Sequence, residues 1–185
     1  VEQDIASVAE FIRLFTARAQ RWTSPKFLIG ESYGTTRAAG LSSYLHEELG
    51  MYINGIMLVS AILNFQSARF SLGNDLPYIL FLPTYAATAW YHKRLPEDLQ
   101  TLSLVDFLSQ VEAFAIGKYT VALMKGADLP GEERTEIAAT LARFTGLTQT
   151  YVEQTNLRIN IHRFVKEFLR EERRTIGRFD SRVKG

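Results

Sequence analysis

The stretch Lys26-Phe27-Leu28-Ile29-Gly30-Glu31-Ser32-Tyr33-Gly34-Thr35-Thr36-Arg37 decides the fold. Its first five residues form a short apolar run bounded by turn residues, which predicts a buried strand over Lys26–Gly30. From Thr35 the pattern is helical as far as Leu49, and Gly50 stands where helices commonly end on a left-handed residue. Between strand and helix, Gly30-Glu31-Ser32-Tyr33-Gly34 fits G-x-S-x-G. The pattern alone is common by chance; the flanking strand and helix give it weight. A serine on so tight a turn is thrust out above the sheet, and glycines at both ends let the backbone fold that sharply. Ser32 is therefore the candidate nucleophile, with Gly30 and Gly34 as the elbow glycines. The amide of Tyr33, at the helix N-terminus, can point at a developing oxyanion. The plainer reading is that Ser32 merely occupies a glycine-flanked turn.

Upstream, Ile5, Val8, Ala9, Ile12, Phe15, Ala19 and Trp22 recur at helical spacing, so Asp4–Arg21 reads as an amphipathic helix closed by Thr23-Ser24-Pro25. Downstream, Asn54-Gly55 introduces Ile56 to Leu63, a second buried strand. Helix, strand, helix, strand is the rhythm of an α/β layer with parallel strands. Two strands do not make a stable parallel sheet alone. The chain also starts at Val1 inside an amphipathic pattern and stops at Gly185 just after a basic run. It is read as a fragment, and the bare strands are expected to drive self-association into a homodimer.

The second half changes character. Thr84 to Lys93 follows Pro83 and predicts a helix. Ser103 with Asp106 resembles a capping box that opens a long helix to Lys125. Glu132–Phe144 ends at Gly146, Thr148 caps a short helix to Gln154, and Asn160 opens another to Glu171. The expected organisation is an α-rich α/β chain. An α/β piece spans residues 1–70, a helical insertion 71–172, and a tail 173–185 leads back toward the core.

The 185 residues suit one domain, with 46% hydrophobic and 22% charged residues, as in ordinary globular chains. A net charge of +1 lacks the basic excess of a nucleic-acid binder. There is no cysteine, hence no disulfide or thiolate metal site. The apolar stretch Leu76–Trp90 is broken by Pro77 and Pro83 and is too short to span a bilayer. No metal-ligand spacing and no phosphate loop appears, so no metal and no cofactor is expected.

Gly30-Glu31-Ser32-Tyr33-Gly34 followed by Thr35-Thr36-Arg37-Ala38 resembles the serine carboxypeptidases, in particular their bacterial branch. The helix before the nucleophile strand, Asn54-Gly55-Ile56 leading into the next, and a helical cap inserted in an α/β-hydrolase core are similar too. Glu31 and Tyr33 are the discriminating letters, since lipases and esterases more often carry His before the serine. The resemblance implies hydrolysis of C-terminal peptide bonds through an acyl-enzyme on Ser32, acting on a peptide or protein with a free C-terminus. It also implies that Glu31, protonated or hydrogen-bonded, helps bind the terminal carboxylate, and it suggests an extracytoplasmic location. A protonated carboxyl can donate to a carboxylate, whereas an ionised one cannot. The alternative for Glu31 is an ordinary surface carboxylate. Gly34-Thr35 departs from the Ala-Gly that the plant and yeast branch carries after its tyrosine.

A serine hydrolase also needs a histidine base and an orienting acid. Only His46, His92 and His162 are present, none after a glycine, and Gly-Gly occurs nowhere. Neither base nor acid is assigned, and the isolated chain is expected to be inactive. Two other readings stay open: an esterase or aminopeptidase of the same fold, and a non-catalytic helical interaction piece.

Two further groupings have structural and functional readings. Phe65, Phe70, Tyr78, Phe81, Tyr85, Trp90 and Tyr91 either wall a pocket above Ser32 or fill a core, the second being favoured. Residues Arg158–Gly185 hold nine Lys or Arg against four Asp or Glu. Interleaved Glu167, Glu171 and Glu172 favour a self-paired, solvated face over an anion site.

Overall fold

The computed structural model describes residues 1–185 and divides into two compact units, Val1–Phe65 and Gln66–Gly185. The division falls five residues before the expected one. The chain is α-rich with a small two-stranded parallel sheet.

In the first unit α1 (Glu2–Arg18), β1 (Phe27–Glu31), α2 (Tyr33–Leu49) and β2 (Gly55–Val59) follow in order. Ile5, Val8 and Ile12 of α1 pack around Ala9, Leu41, Leu45 and Met51, so the apolar stripe read from the sequence is the face that meets α2. Leu45 is fully buried, and burial of such a side chain contributes about 1.5–3 kcal/mol. Gly50 closes α2 at φ 60°, its N–H donating 3.2 Å to the carbonyl of His46. β1 and β2 run parallel with Leu28 opposite Ile56, Ile29 opposite Met57 and Gly30 opposite Leu58. Leu28 packs on the helix-side core; by alternation Phe27, Ile29, Met57 and Val59 lie on the other face, where all four are exposed.

Several boundaries differ from expectation, each for a local reason. α1 stops at Arg18, not Arg21, because Gln20 turns to φ 56°. β1 is shifted by one residue to include Glu31. β2 ends at Val59 instead of running to Leu63: Ser60 adopts φ 51°, and the N–H of Ile62 donates to Thr35 Oγ1 rather than to a ladder.

The second unit is helical: α3 (Leu76–Tyr91), α4 (Glu97–Gln100), α5 (Leu104–Phe114), α6 (Thr120–Lys125), α7 (Gly131–Thr145), α8 (Gln149–Gln154) and α9 (Ile161–Glu167). Pro83 does not open a helix but lies inside α3, whose first turn instead holds Pro77. A proline in the first turn costs nothing in hydrogen bonds, whereas Pro83 removes one from the ladder. The long helix expected from Ser103 to Lys125 is α5 and α6 joined through a π-helical turn, Ala115–Tyr119. Ser103, Thr148 and Asn160 cap α5, α8 and α9 by accepting from Asp106, Tyr151 and Arg163 amides.

Of the aromatic run, Tyr85 is buried in the helical core with Tyr78, Phe81 and Trp90 packed against it, whereas Tyr91 is exposed and Phe65 belongs to the first unit. Phe70 packs edge-on against Tyr78 and Phe81, and Tyr85 stacks 4.1 Å from Phe164. Tyr85 and Tyr119 bury their hydroxyls, each donating to a main-chain carbonyl, of Ile159 and Leu157 respectively. Burial pushes both phenols well above their usual range. Of the nine cations in the basic end four are ion-paired, Arg170 with Glu167, Arg182 with Asp180, Lys184 with Glu172, and Arg158 with Asp75, so the expected self-paired face holds only in part. The tail, expected to lead away, closes on the helical unit. Ile176 is buried in that core and bridges Lys184, and Thr88 and His92 bond Ser181. No helix is long and apolar enough to cross a membrane.

Candidate active site at the β1–α2 turn

Ser32 is the single residue between β1 and α2, with φ 52° and ψ −117°. A positive φ is sterically costly for a residue with a Cβ, and such strain persists only where the surroundings enforce it. The enforcing contact is visible. A Cβ added at Gly30 would stand 2.1 Å from the carbonyl oxygen of Gly34 and 2.8 Å from the amide nitrogen of Thr35. Only a glycine lets strand and helix approach that closely. Gly34 acts differently from expectation: a Cβ there would meet nothing within 4 Å, so it contributes its backbone, not its lack of a side chain.

Four hydrogen bonds fix the turn. The N–H of Ser32 donates 3.0 Å to the carbonyl of Val59, tying the turn to the end of β2. Fully buried Thr35 donates from Oγ1 to the carbonyl of Ser32 at 2.6 Å and accepts the N–H of Ile62 at 3.0 Å. Thr36 Oγ1 donates to the carbonyl of Ile62. Both strands therefore end in a serine of positive φ, Ser32 and Ser60, on neighbouring strand ends. The sequence reading missed Thr35 and Ser60; the short polar residue directly after Val59 was the available sign of a strand end.

Ser32 is exposed, and its hydroxyl has no hydrogen-bond partner within the chain. The Tyr33 amide is the first of α2, so it has no intrahelical acceptor and lies at the positive end of the helix dipole. An alkoxide or oxyanion formed at Ser32 would develop beside that amide.

The Tyr33 side chain is held in a clamp that the sequence did not disclose. Asp4 of α1 accepts two hydrogen bonds from Arg37, both 2.8 Å, and a third from the Tyr33 hydroxyl at 3.2 Å. The Arg37 guanidinium lies 5.3 Å from the Tyr33 ring centre, and Phe65 packs at 6.5 Å. Hydrogen bonding from Arg37 holds the Asp4 carboxyl below the usual aspartate range. Desolvation, and then the bond to Asp4, raises the Tyr33 phenol. A signal existed only in part: Asp4 and Arg37 both lie on helices, but 33 residues apart.

Glu31 is the last residue of β1, exposed and without a side-chain hydrogen bond or ion pair. It is thus not held by a neighbour within this chain. His46, the one histidine of this unit, lies in the last turn of α2 against Tyr52. Fourteen residues of helical rise separate it from Ser32, roughly 20 Å, far beyond proton-transfer reach. In the other unit His92 is engaged by the carbonyl of Ser181 at 2.7 Å, and His162 is exposed on α9. The site brings together Gly30, Ser32, Tyr33 and Gly34, with Glu31 beside them, and supplies no base from its own unit.

No family model matches the chain. No curated protein and no solved structure matches it either.

Proposed function

We propose that this chain carries the nucleophile region of a serine hydrolase of the α/β-hydrolase type, and that the parent activity is that of a serine carboxypeptidase. The observation that carries the reading is the backbone of Ser32, strained at φ 52° on a strand-to-helix turn that only Gly30 permits. Strain of this kind, on an exposed serine with an open helix N-terminus beside it, is what a nucleophile elbow requires.

In this reading Ser32 Oγ attacks the carbonyl carbon of the C-terminal peptide bond. The Tyr33 N–H stabilises the oxyanion as the tetrahedral intermediate forms. Collapse of that intermediate breaks the C–N bond, the leaving amine takes a proton, and water then hydrolyses the acyl-enzyme. Base and acid come from sequence outside these 185 residues. Glu31, next to the nucleophile and without a side-chain partner in this chain, is the residue that meets the substrate's terminal carboxylate, a role carried by the resemblance alone. Specificity for carboxypeptidase chemistry rests on the resemblance around Glu31 and Tyr33.

The test is reaction of the chain with a fluorophosphonate, with imidazole supplied as an external base. Ser32 Oγ forms a bond to phosphorus, fluoride leaves, and imidazole takes the proton. Mass-spectrometric mapping should find the adduct on Ser32 and lose it in Ser32→Ala. An adduct spread evenly over the exposed serines would overturn the reading.

A further inference from the structure

We infer that Ser60 is a specificity residue of the Ser32 site: its hydroxyl accepts the amide N–H of the residue whose carbonyl Ser32 attacks, so the site selects N-acylated, peptide-like acyl groups over simple esters. The inference rests on the nucleophile reading of Ser32. β1 and β2 are paired in register up to Glu31 opposite Val59, and the N–H of Ser32 donates 3.0 Å to the Val59 carbonyl. Ser32 and Ser60 are therefore the next residues of two neighbouring strands, one ladder spacing, roughly 5 Å, apart.

Ser60 is held in place from both sides. It adopts φ 51°, an angle that glycine takes freely and that costs a residue with a Cβ. The strand ladder fixes the chain before it. Two residues on, the N–H of Ile62 donates 3.0 Å to Thr35 Oγ1, and the Ile62 carbonyl accepts from Thr36 Oγ1. Thr35 Oγ1 also donates to the carbonyl of Ser32, so one buried residue pins the backbone of both serines. The Ser60 side chain is exposed, and its hydroxyl has no hydrogen-bond partner within the chain. A serine kept at a costly angle, with its hydroxyl unused by the fold, is the kind of strain that marks a functional position. The span selects the ligand atom. Standard backbone geometry puts an amide nitrogen about 2.5 Å from the carbonyl carbon of its own residue. An N–H···O bond adds about 2.9 Å, which together covers the distance between the two strand ends. A simple ester has no N–H at that place.

The test compares two phosphonofluoridate probes with imidazole as external base. One carries an N-acylamino group on the carbon next to phosphorus, and the other is the same molecule with that amide N-methylated. With either probe Ser32 Oγ bonds to phosphorus, fluoride leaves and imidazole takes the proton. The rate of adduct formation on Ser32 is followed by mass spectrometry. Wild type should react with the N–H probe faster than with the N-methyl probe by roughly three- to ten-fold, the worth of one neutral hydrogen bond. Ser60→Gly removes the hydroxyl while suiting the backbone angle, so its unfolding midpoint should not fall below that of wild type. It should nevertheless slow the N–H probe to the rate of the N-methyl probe and leave the latter unchanged. Ser60→Asn, which tolerates positive φ and restores an acceptor, should recover part of the preference. A probe ratio equal in wild type and Ser60→Gly would overturn the inference while leaving Ser32 as the nucleophile. So would an equal loss with both probes, which would make Ser60 a part of the turn's structure only. Absence of any Ser32 adduct would overturn the nucleophile reading and this inference with it.

Discussion

Gly30 and Gly34 touch backbone to backbone: a methyl group on Gly30 would stand 2.1 Å from the carbonyl oxygen of Gly34. That contact joins the end of β1 to the first turn of α2 and leaves Ser32 to make the reversal alone, at φ 52°. The atom in the way is main chain inside a helix, which cannot move aside as a side-chain tip can. Gly30→Ala should therefore destabilise the first unit by about 3 kcal/mol or more, the upper range for overpacking. Ala at Gly34, where a Cβ meets nothing within 4 Å, should cost far less. Urea unfolding of both variants, followed by Trp22 fluorescence in a Trp90→Phe background, checks the contrast.

Thr35 is the second tie on the turn. Thr35→Val keeps the shape but leaves the Ile62 N–H and the Ser32 carbonyl without their partner, a loss of about 1–3 kcal/mol. Thr35→Ser retains the hydroxyl and should recover most of it. A midpoint for Thr35→Val equal to wild type would mean the hydroxyl does not hold the turn.

The Asp4–Arg37–Tyr33 clamp has a pH signature. The Asp4 carboxyl is lowered by Arg37, so its contribution to stability is present above the ordinary aspartate value and is lost as pH falls through the lowered one. Asp4→Asn should thus lower the unfolding midpoint at pH 6, and the gap between the two proteins should shrink as pH falls below the ordinary value of 3.8 toward the lowered one. A gap between the two proteins that stayed constant across this range would remove the ion pair from the account.

The strand-to-helix turn at Ser32 was legible because three local signals agree in twelve residues: an apolar run, a glycine-bracketed serine and a helical period. The helix caps at Ser103, Thr148 and Asn160 were legible for the same reason, since each depends on neighbours three residues away. What was not legible depends on distant residues or on tolerance. The Asp4–Arg37 pair needs α1 and α2 packed before it exists. Ile56–Leu63 is uniformly apolar apart from Ser60, so hydrophobicity alone could not show that the strand stops at Val59. Pro83 reads as a helix opener by local rules, yet an apolar helix packed on its neighbours accommodates it. The role of Gly34 also escaped the pattern, because a regular expression does not say which glycine is needed for space.

The isolated chain should release no residue above background from a peptide with a free C-terminus. Its unit holds no base near Ser32, and general base catalysis is typically worth about 10²–10⁴-fold. Timed mass spectrometry of the peptide checks this. Release abolished by Ser32→Ala would show that His46, His92 or His162 serves as base.

The central claim, that Ser32 is a nucleophile with the Tyr33 amide as its oxyanion donor, is tested most directly by a peptide boronic acid. Addition of Ser32 Oγ to boron forms a tetrahedral adduct whose oxygen faces that amide. The account predicts a tetrahedral boron-11 resonance with wild type, a shift of the Tyr33 amide nitrogen, and loss of both in Ser32→Ala. Boron that stays trigonal with the folded wild-type chain, or an adduct that survives Ser32→Ala, would contradict it.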